Sequence, residues 1–298
     1  MSANKEIYMG KYEVDIEEVE YLNHGGKPFL ARVFKPRGKG PFPAVIDAHG
    51  GAWVEGTRMN NDNINRPVAE GGVVVAALDF RNPPDATYPG SVADVNFGVR
   101  WLKSQAARFN SRADMVGSMG TSSGGHLVVL AALKPDDPRY AAIPLPGAPQ
   151  INARVPYVVT LWPVICPIGR YRDLVLRPAG GTTGQPPAGP AAKQIGYWLT
   201  EDAMAEGSAN LVLQRGEKVA LPNILYAQNP ADALHPGKYM EEFVAGFRKA
   251  GGSLQLELFD GEPYDLVRSK PESETAKHVI AKLIAFIHLQ TEKQAKAA

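Results

Sequence analysis

Residues 115–130 read MVGSMGTSSGGHLVVL, and the fold follows from how that stretch divides. Met115 to Met119 is a short apolar run of strand type, and Gly124 to Leu133 is a helical run rich in Leu, Val and Ala. Between them lies Gly120-Thr-Ser-Ser-Gly124. A strand that turns at once into a helix is the building unit of alternating α/β architecture. The flanking glycines allow a turn sharp enough to hold the Ser122 hydroxyl above the sheet edge, where the helix N-terminus favours negative charge. A plain serine- and glycine-rich helix start would share this composition; the strand–turn–helix setting is what favours Ser122 as a nucleophile.

The flanking sequence continues the alternation. Val14 to Val19 and Leu30 to Phe34 read as antiparallel strands around a turn at Asn23-His-Gly-Gly26. Pro43 to His49 and Val73 to Asp79 are continuously apolar, as strands covered on both faces are. Ser91 to Ser104 sets Val92, Val95, Val99 and Leu102 at helical spacing. Val155 to Trp162, Asn223 to Gln228 and Ser253 to Phe259 read as further strands, with helices at Gly237 to Ala250 and Ala276 to Gln290. The pattern predicts one α/β domain over residues 1–298, with a mostly parallel central sheet and helices on both faces. Residues 168–221 interrupt the alternation, with PAGGTTGQPPAGP at 178–190 a loop by composition; this excursion is expected to act as a lid or to shape a pocket.

Composition removes several function classes. Against 31 acidic residues stand 32 Lys and Arg, so no net charge argues for nucleic acid or an anionic membrane as a partner. Apolar residues at 44% and charged residues at 21% are those of a globular chain. The longest strongly apolar stretch, Val73 to Leu78, is far short of the roughly 20 residues that span a bilayer. The polar start lacks the apolar run of an export signal, so a cytoplasmic location is expected. The lone Cys166 excludes an intrachain disulfide and reads as a packed apolar group. No metal-ligand spacing and no phosphate-binding glycine loop stands out, so no metal and no cofactor is expected.

A second motif, His49-Gly-Gly-Ala-Trp53, ends a strand about seventy residues before Ser122. Its glycines leave backbone N–H groups free to face a site, where they would stabilise an oxyanion formed in acyl transfer. Asp79-Phe-Arg81, with Pro84 and Pro89, and Asp232 within QNPADALHP at 228–236 complete a set. With these, the chain resembles the α/β-hydrolases of the hormone-sensitive-lipase and bacterial esterase type, from about Val33 to the last helix. The resemblance implies hydrolysis of carboxylic esters through an acyl-enzyme. It makes Ser122 the nucleophile, Asp232 the acid of the triad, and the N–H groups of Gly51, Ala52 and Ser123 the oxyanion hole. HGGA stands where the family more often has HGGG, and Thr-Ser-Ser where it has Asp-Ser-Ala; backbone donors survive both changes.

One departure bears on the chemistry. In the family the catalytic histidine follows the acid by about thirty residues in a Gly-x-x-His pattern, and here that segment reads FDGEPYDL at 259–266. Tyr264 occupies the histidine position, and a phenol with an ordinary pKa near 10 is a poor base at pH 7. Of the six histidines, His49 and His126 match structural positions of the family, His24 lies in an early turn, and His278 and His288 lie in the last helix. His235 shares a loop with Asp232 and is the candidate surrogate base, or else a bystander at the lip of the site. Asp260 and Asp265 flank Tyr264, but ordinary carboxylates are weak bases toward serine. Asp79 and Arg81 are expected to hold the loop beneath the oxyanion motif. Trp53, Tyr88, Trp162 and Trp198 are available to line an apolar pocket or to fill the core.

Three readings follow. The chain is an esterase acting on a small-molecule ester, with the loss at Tyr264 rescued elsewhere. Alternatively, it binds a small ester or apolar acid without turnover, as the plant gibberellin receptors of this fold do, or it is a variant whose base was removed by engineering. A third reading gives Tyr264 a proton-donating role in a lyase or isomerase. A homodimer through an edge strand or the final helix is compatible with each.

Overall fold

Val14–His24 (β1) and Lys27–Pro36 (β2) form the expected hairpin, closed by Gly25 and Gly26, both at positive φ. In the computed structural model, which describes residues 10–176 and 189–297, this hairpin is one edge of an eight-stranded sheet. β2 pairs antiparallel with Val74–Leu78 (β4). Beyond it Ala44–Ala48 (β3), Val116–Thr121 (β5), Tyr157–Leu161 (β6), Asn223–Gln228 (β7) and Leu254–Leu258 (β8) all run parallel, in the order β1-β2-β4-β3-β5-β6-β7-β8.

Strand periodicity divides the core in two. In β3 and β4, Ala44, Ile46, Ala48, Val74, Ala76 and Leu78 face Gly90–Ser104 (α2), Ser122–Leu133 (α3) and Gly237–Lys249 (α8). Val45, Val75 and Ala77 face the opposite layer of Asp62–Glu70 (α1) and Glu274–Ala297 (α10), with Leu266–Ser269 (α9) beside them. Every residue of β3, β4, β5 and β6 is buried, which explains why these strands read as largely apolar runs rather than alternating ones.

The interruption between β6 and β7 carries secondary structure that its sequence did not advertise. Pro167–Leu176 (α4), Gly189–Trp198 (α5), Glu201–Gly207 (α6) and Ala209–Gln214 (α7) lie there. Most of the composition-defined loop at 178–190 falls outside the described residues; its last two residues open α5. The Trp53 and Tyr197 rings stack 5.8 Å apart, and Ala220 N–H bonds the Leu133 carbonyl 2.8 Å away, so this segment is docked on the sheet domain. Among the described residues no helix is long and apolar enough to cross a membrane.

The close approach of α3 to β3 leaves no room for a side chain at Gly124, because a Cβ there would run into the Ala48 and His49 carbonyl oxygens. Gly196, exposed within α5, has nothing around it. Gly124→Ala is therefore expected to destabilise the fold by about 3 kcal/mol. Gly196→Ala should instead stabilise it by about 0.5–1 kcal/mol through the lower entropy of its unfolded chain. Urea unfolding midpoints of the two variants against wild type check both signs.

Candidate active site

The carboxyl ends of β3, β5 and β7, and the loop after β8, converge on one side of the sheet, which is where parallel α/β sheets place their ligand sites. β5 ends at Thr121 and α3 begins at Ser122, whose φ of 52° lies in the left-handed region. A non-glycine residue held there is strained, and the surrounding packing enforces it. A Cβ at Gly120 would come within 2.7 Å of the Gly124 carbonyl, and one at Gly50 within 3.1 Å of the Ser122 Cβ. Small residues at these positions let the turn close and let the β3 loop lie against the serine.

That loop presents donors. Gly51 and Ala52 both have positive φ, of 125° and 51°. Among the described residues the N–H groups of Gly51, Ala52 and Ser123 donate to no protein acceptor, as an oxyanion-binding set requires. Two histidines brace the loop from beneath. The His49 ring stacks on Phe80 at 4.3 Å and its Nδ1 lies 2.6 Å from the Gly50 carbonyl. Trp53 Nε1 donates to His126 Nδ1 at 3.3 Å, and His126 Nε2 donates to the Gly207 carbonyl at 2.8 Å, tying the end of α6 to the loop. Burial holds His126 neutral, its pKa pushed down to about 4. Asp79 accepts from the backbone N–H and guanidinium of Arg58, while Arg81 pairs with Asp94. Beneath the elbow Thr121 donates to Asn61, and Asn61 and Asn65 donate to the buried Asp47 carboxyl, whose pKa burial raises to about 6.

Ser122 Oγ lies 3.1 Å from His235 Nε2, and His235 Nδ1 lies 2.6 Å from Asp232 Oδ2. The other Asp232 oxygen accepts the backbone N–H groups of Leu234 at 2.8 Å and His235 at 3.1 Å, which folds the loop after β7 into a tight turn. Gln228 grips the His235 carbonyl and Arg170 Nε the Leu234 carbonyl, so the loop is held from both sides. Both side chains of the acid–imidazole pair are buried. Burial pushes the imidazole pKa below its ordinary value, and the Asp232 hydrogen bond partly opposes that shift.

Tyr264 does not take part in this chain of hydrogen bonds. Its half-buried ring packs against His235, with centroids 5.3 Å apart, and edge-on against Trp162. Among the described residues it bonds neither Ser122 nor Asp232, and burial raises its phenol pKa further, keeping it protonated. Asp265 is engaged by Arg268, and Asp260 is exposed.

A cleft of about 440 Å³ opens over the serine, with Gly51, Ala52, Trp162, His235 and Tyr264 in its wall. Of the four aromatics available for a pocket, only Trp162 lines it; Trp53, Tyr88 and Trp198 are packed among core residues, Tyr88 hydrogen-bonded to Tyr140. Cys166 is buried, with its thiol pKa pushed up. The sequence reading missed Arg170, Lys193 and Arg268, which also face the cleft. Nothing in their local sequence marks them; their position at the cleft becomes visible only once α4, α5 and α9 are placed.

Comparison with known proteins agrees with this fold. The BD-FAE family model matches residues 33–159. The probable carboxylic ester hydrolase LipM of Mycobacterium tuberculosis is 32% identical over 126 residues, 42% of this chain and 28% of that protein. The probable isoprenylcysteine alpha-carbonyl methylesterase ICME of Oryza sativa subsp. japonica is 24% identical over 263 residues, 84% of this chain and 58% of that protein. The chain thus spans little more than a quarter of LipM and under two thirds of the rice protein. EstE1, a thermophilic carboxylesterase cloned from a metagenomic library, has the same fold, with a TM-score of 0.73 at 21% identity over 94% of this chain and 90% of its own. Sheet order, motif order and these likenesses converge: the chain has the α/β-hydrolase fold and is similar to carboxylic ester hydrolases of the hormone-sensitive-lipase and bacterial esterase type.

Proposed function

We propose that the protein is a serine carboxylic ester hydrolase whose base, His235, sits three residues from its acid, Asp232, on the loop after β7. The observation that carries this reading is the continuous hydrogen-bonded chain Ser122–His235–Asp232, at 3.1 Å and 2.6 Å. With its Nδ1 proton held toward Asp232, the neutral imidazole turns the lone pair of Nε2 to the serine hydroxyl. Nε2 takes the proton as Ser122 Oγ attacks the ester carbonyl. The N–H groups of Gly51, Ala52 and Ser123 receive the oxyanion. The imidazolium then returns the proton to the departing alkoxide, and the alcohol leaves an acyl-serine. A water molecule, deprotonated by His235, attacks the acyl carbon, and collapse releases the acid and regenerates Ser122.

Ester hydrolysis is also what the names of LipM and the rice methylesterase describe. Tyr264 enters as a wall of the cleft that packs on the base. The binding-only reading drew its force from the missing histidine after β8, and an imidazole already bonded to the serine removes that force.

With p-nitrophenyl butyrate as substrate, Ser122→Ala and His235→Ala are each expected to lower kcat on the order of 10⁴- to 10⁶-fold. Tyr264→Phe should stay within about tenfold of wild type, since the ring and not the hydroxyl touches His235. If His235→Ala keeps wild-type turnover while Ser122→Ala is inactive, the base lies elsewhere. The pH profile gives an independent check. The base works only when neutral, and burial lowers its pKa, so the rate should hold as pH falls past 6.5 and drop only below it. An acid limb of kcat/KM centred above 6.5 would contradict this assignment.

A further inference from the structure

Arg170 lies on α4 with only 6% of its surface exposed, yet it lines the cleft that holds Ser122 and His235. Its Nε donates to the Leu234 carbonyl at 3.0 Å, and its Nη1 reaches Gln194 Oε1 only at 3.4 Å. Gln194 is itself fixed, donating to the Pro167 carbonyl. Among the described residues Nη2 has no partner, and no carboxylate pairs with the guanidinium. Residues 177–188, which precede α5, contain neither Asp nor Glu.

Among the described residues that line the cleft, every other charged group is matched. Lys193 pairs with Glu55 and Arg268 with Asp265. Asp232, the carboxylate that Arg170 senses, has both oxygens occupied by the His235 ring and by backbone N–H groups. Desolvation lowers the Arg170 pKa to about 10, which still leaves it cationic at neutral pH. A buried, unmatched cation is costly, and a neutral donor would hold the Leu234 carbonyl as well. Among the described residues no counter-charge stands on the side that opens to the cleft.

We propose that the cleft takes esters that carry a carboxylate, and that Arg170 is the residue that binds it. This deepens the esterase reading and rests on it for turnover. The free edge of a guanidinium suits a carboxylate oxygen, and the desolvated setting strengthens the bond. With Lys193 and Arg268 each paired, the one cation left over among the described residues that line the cleft is Arg170, which favours the same charge. The substrate class is therefore a short half-ester of a dicarboxylic acid, or a short acyl ester of a hydroxy acid.

The test compares matched ester pairs by acid release: ethyl hydrogen succinate against ethyl butyrate for a charge on the acyl side, and 4-acetoxybenzoate against phenyl acetate for one on the alcohol side. In wild type the charged member of one pair should have the higher kcat/KM, by about ten- to a hundredfold. Arg170→Gln should collapse that ratio, chiefly through KM, and Arg170→Lys should restore part of it. A preference for the neutral member in both pairs, or a ratio unmoved by Arg170→Gln, overturns the proposal. Should Arg170→Gln fail to fold, competition on wild type decides: succinate must inhibit ethyl butyrate hydrolysis, and succinamide must inhibit it far less. If no ester of either kind is hydrolysed, the esterase reading fails by itself. Calorimetry of succinate with Ser122→Ala then tests Arg170 alone: binding that Arg170→Gln weakens at least tenfold supports it, and no binding overturns it.

Discussion

The site depends on a contact that involves no side chain at all. Gly124, in the first turn of α3, lies against the carbonyl oxygens that close β3, and this approach forces Ser122 into left-handed backbone. It also sets the β3 loop beside the serine. Among the described residues the N–H groups of Gly51 and Ala52 on one segment and of Ser123 on the other donate to no protein acceptor. The strain at Ser122 is local, and the buried strands β3, β5 and β6 on either side make it tolerable.

The parts of the molecule that are repetitive were the legible ones. Strands buried on both faces announce themselves as apolar runs, and GTSSG at 120–124 and HGGAW at 49–53 are contiguous in sequence, so β3, β5 and the turn that carries Ser122 could be read directly. The helices α4 to α7 are short and are set by docking on Trp53, Leu133 and His126 rather than by a periodicity of their own. His235 was identified only as a candidate, for a different reason. Whether a loop imidazole meets a serine more than a hundred residues away depends on a turn made by backbone N–H groups on Asp232, and spacing carries no trace of such a turn. Arg170 was invisible because its significance is the lack, among the described residues, of a carboxylate partner.

The histidines divide by environment. His49 and His126 are buried against backbone carbonyls and aromatic faces and serve as rigid struts. His24 and His278 lie beside carboxylates nearer the surface, and His288 bonds the Gly71 carbonyl. His235 joins a hydroxyl on one ring nitrogen to a carboxylate on the other, the arrangement that moves a proton.

Holding acid and imidazole on one loop changes what must stay in register. Where the two come from different loops, three segments have to keep their alignment through every thermal excursion. Here the Asp232–His235 spacing is internal to a single tight turn, and only its placement against the elbow remains to be maintained. On the proposed assignment the loop after β8, at the far edge of the sheet, is released from proton chemistry. Tyr264 and Arg268 can vary there as recognition surface, so the specificity of this fold could drift along its last strand while its reacting groups stay where they are.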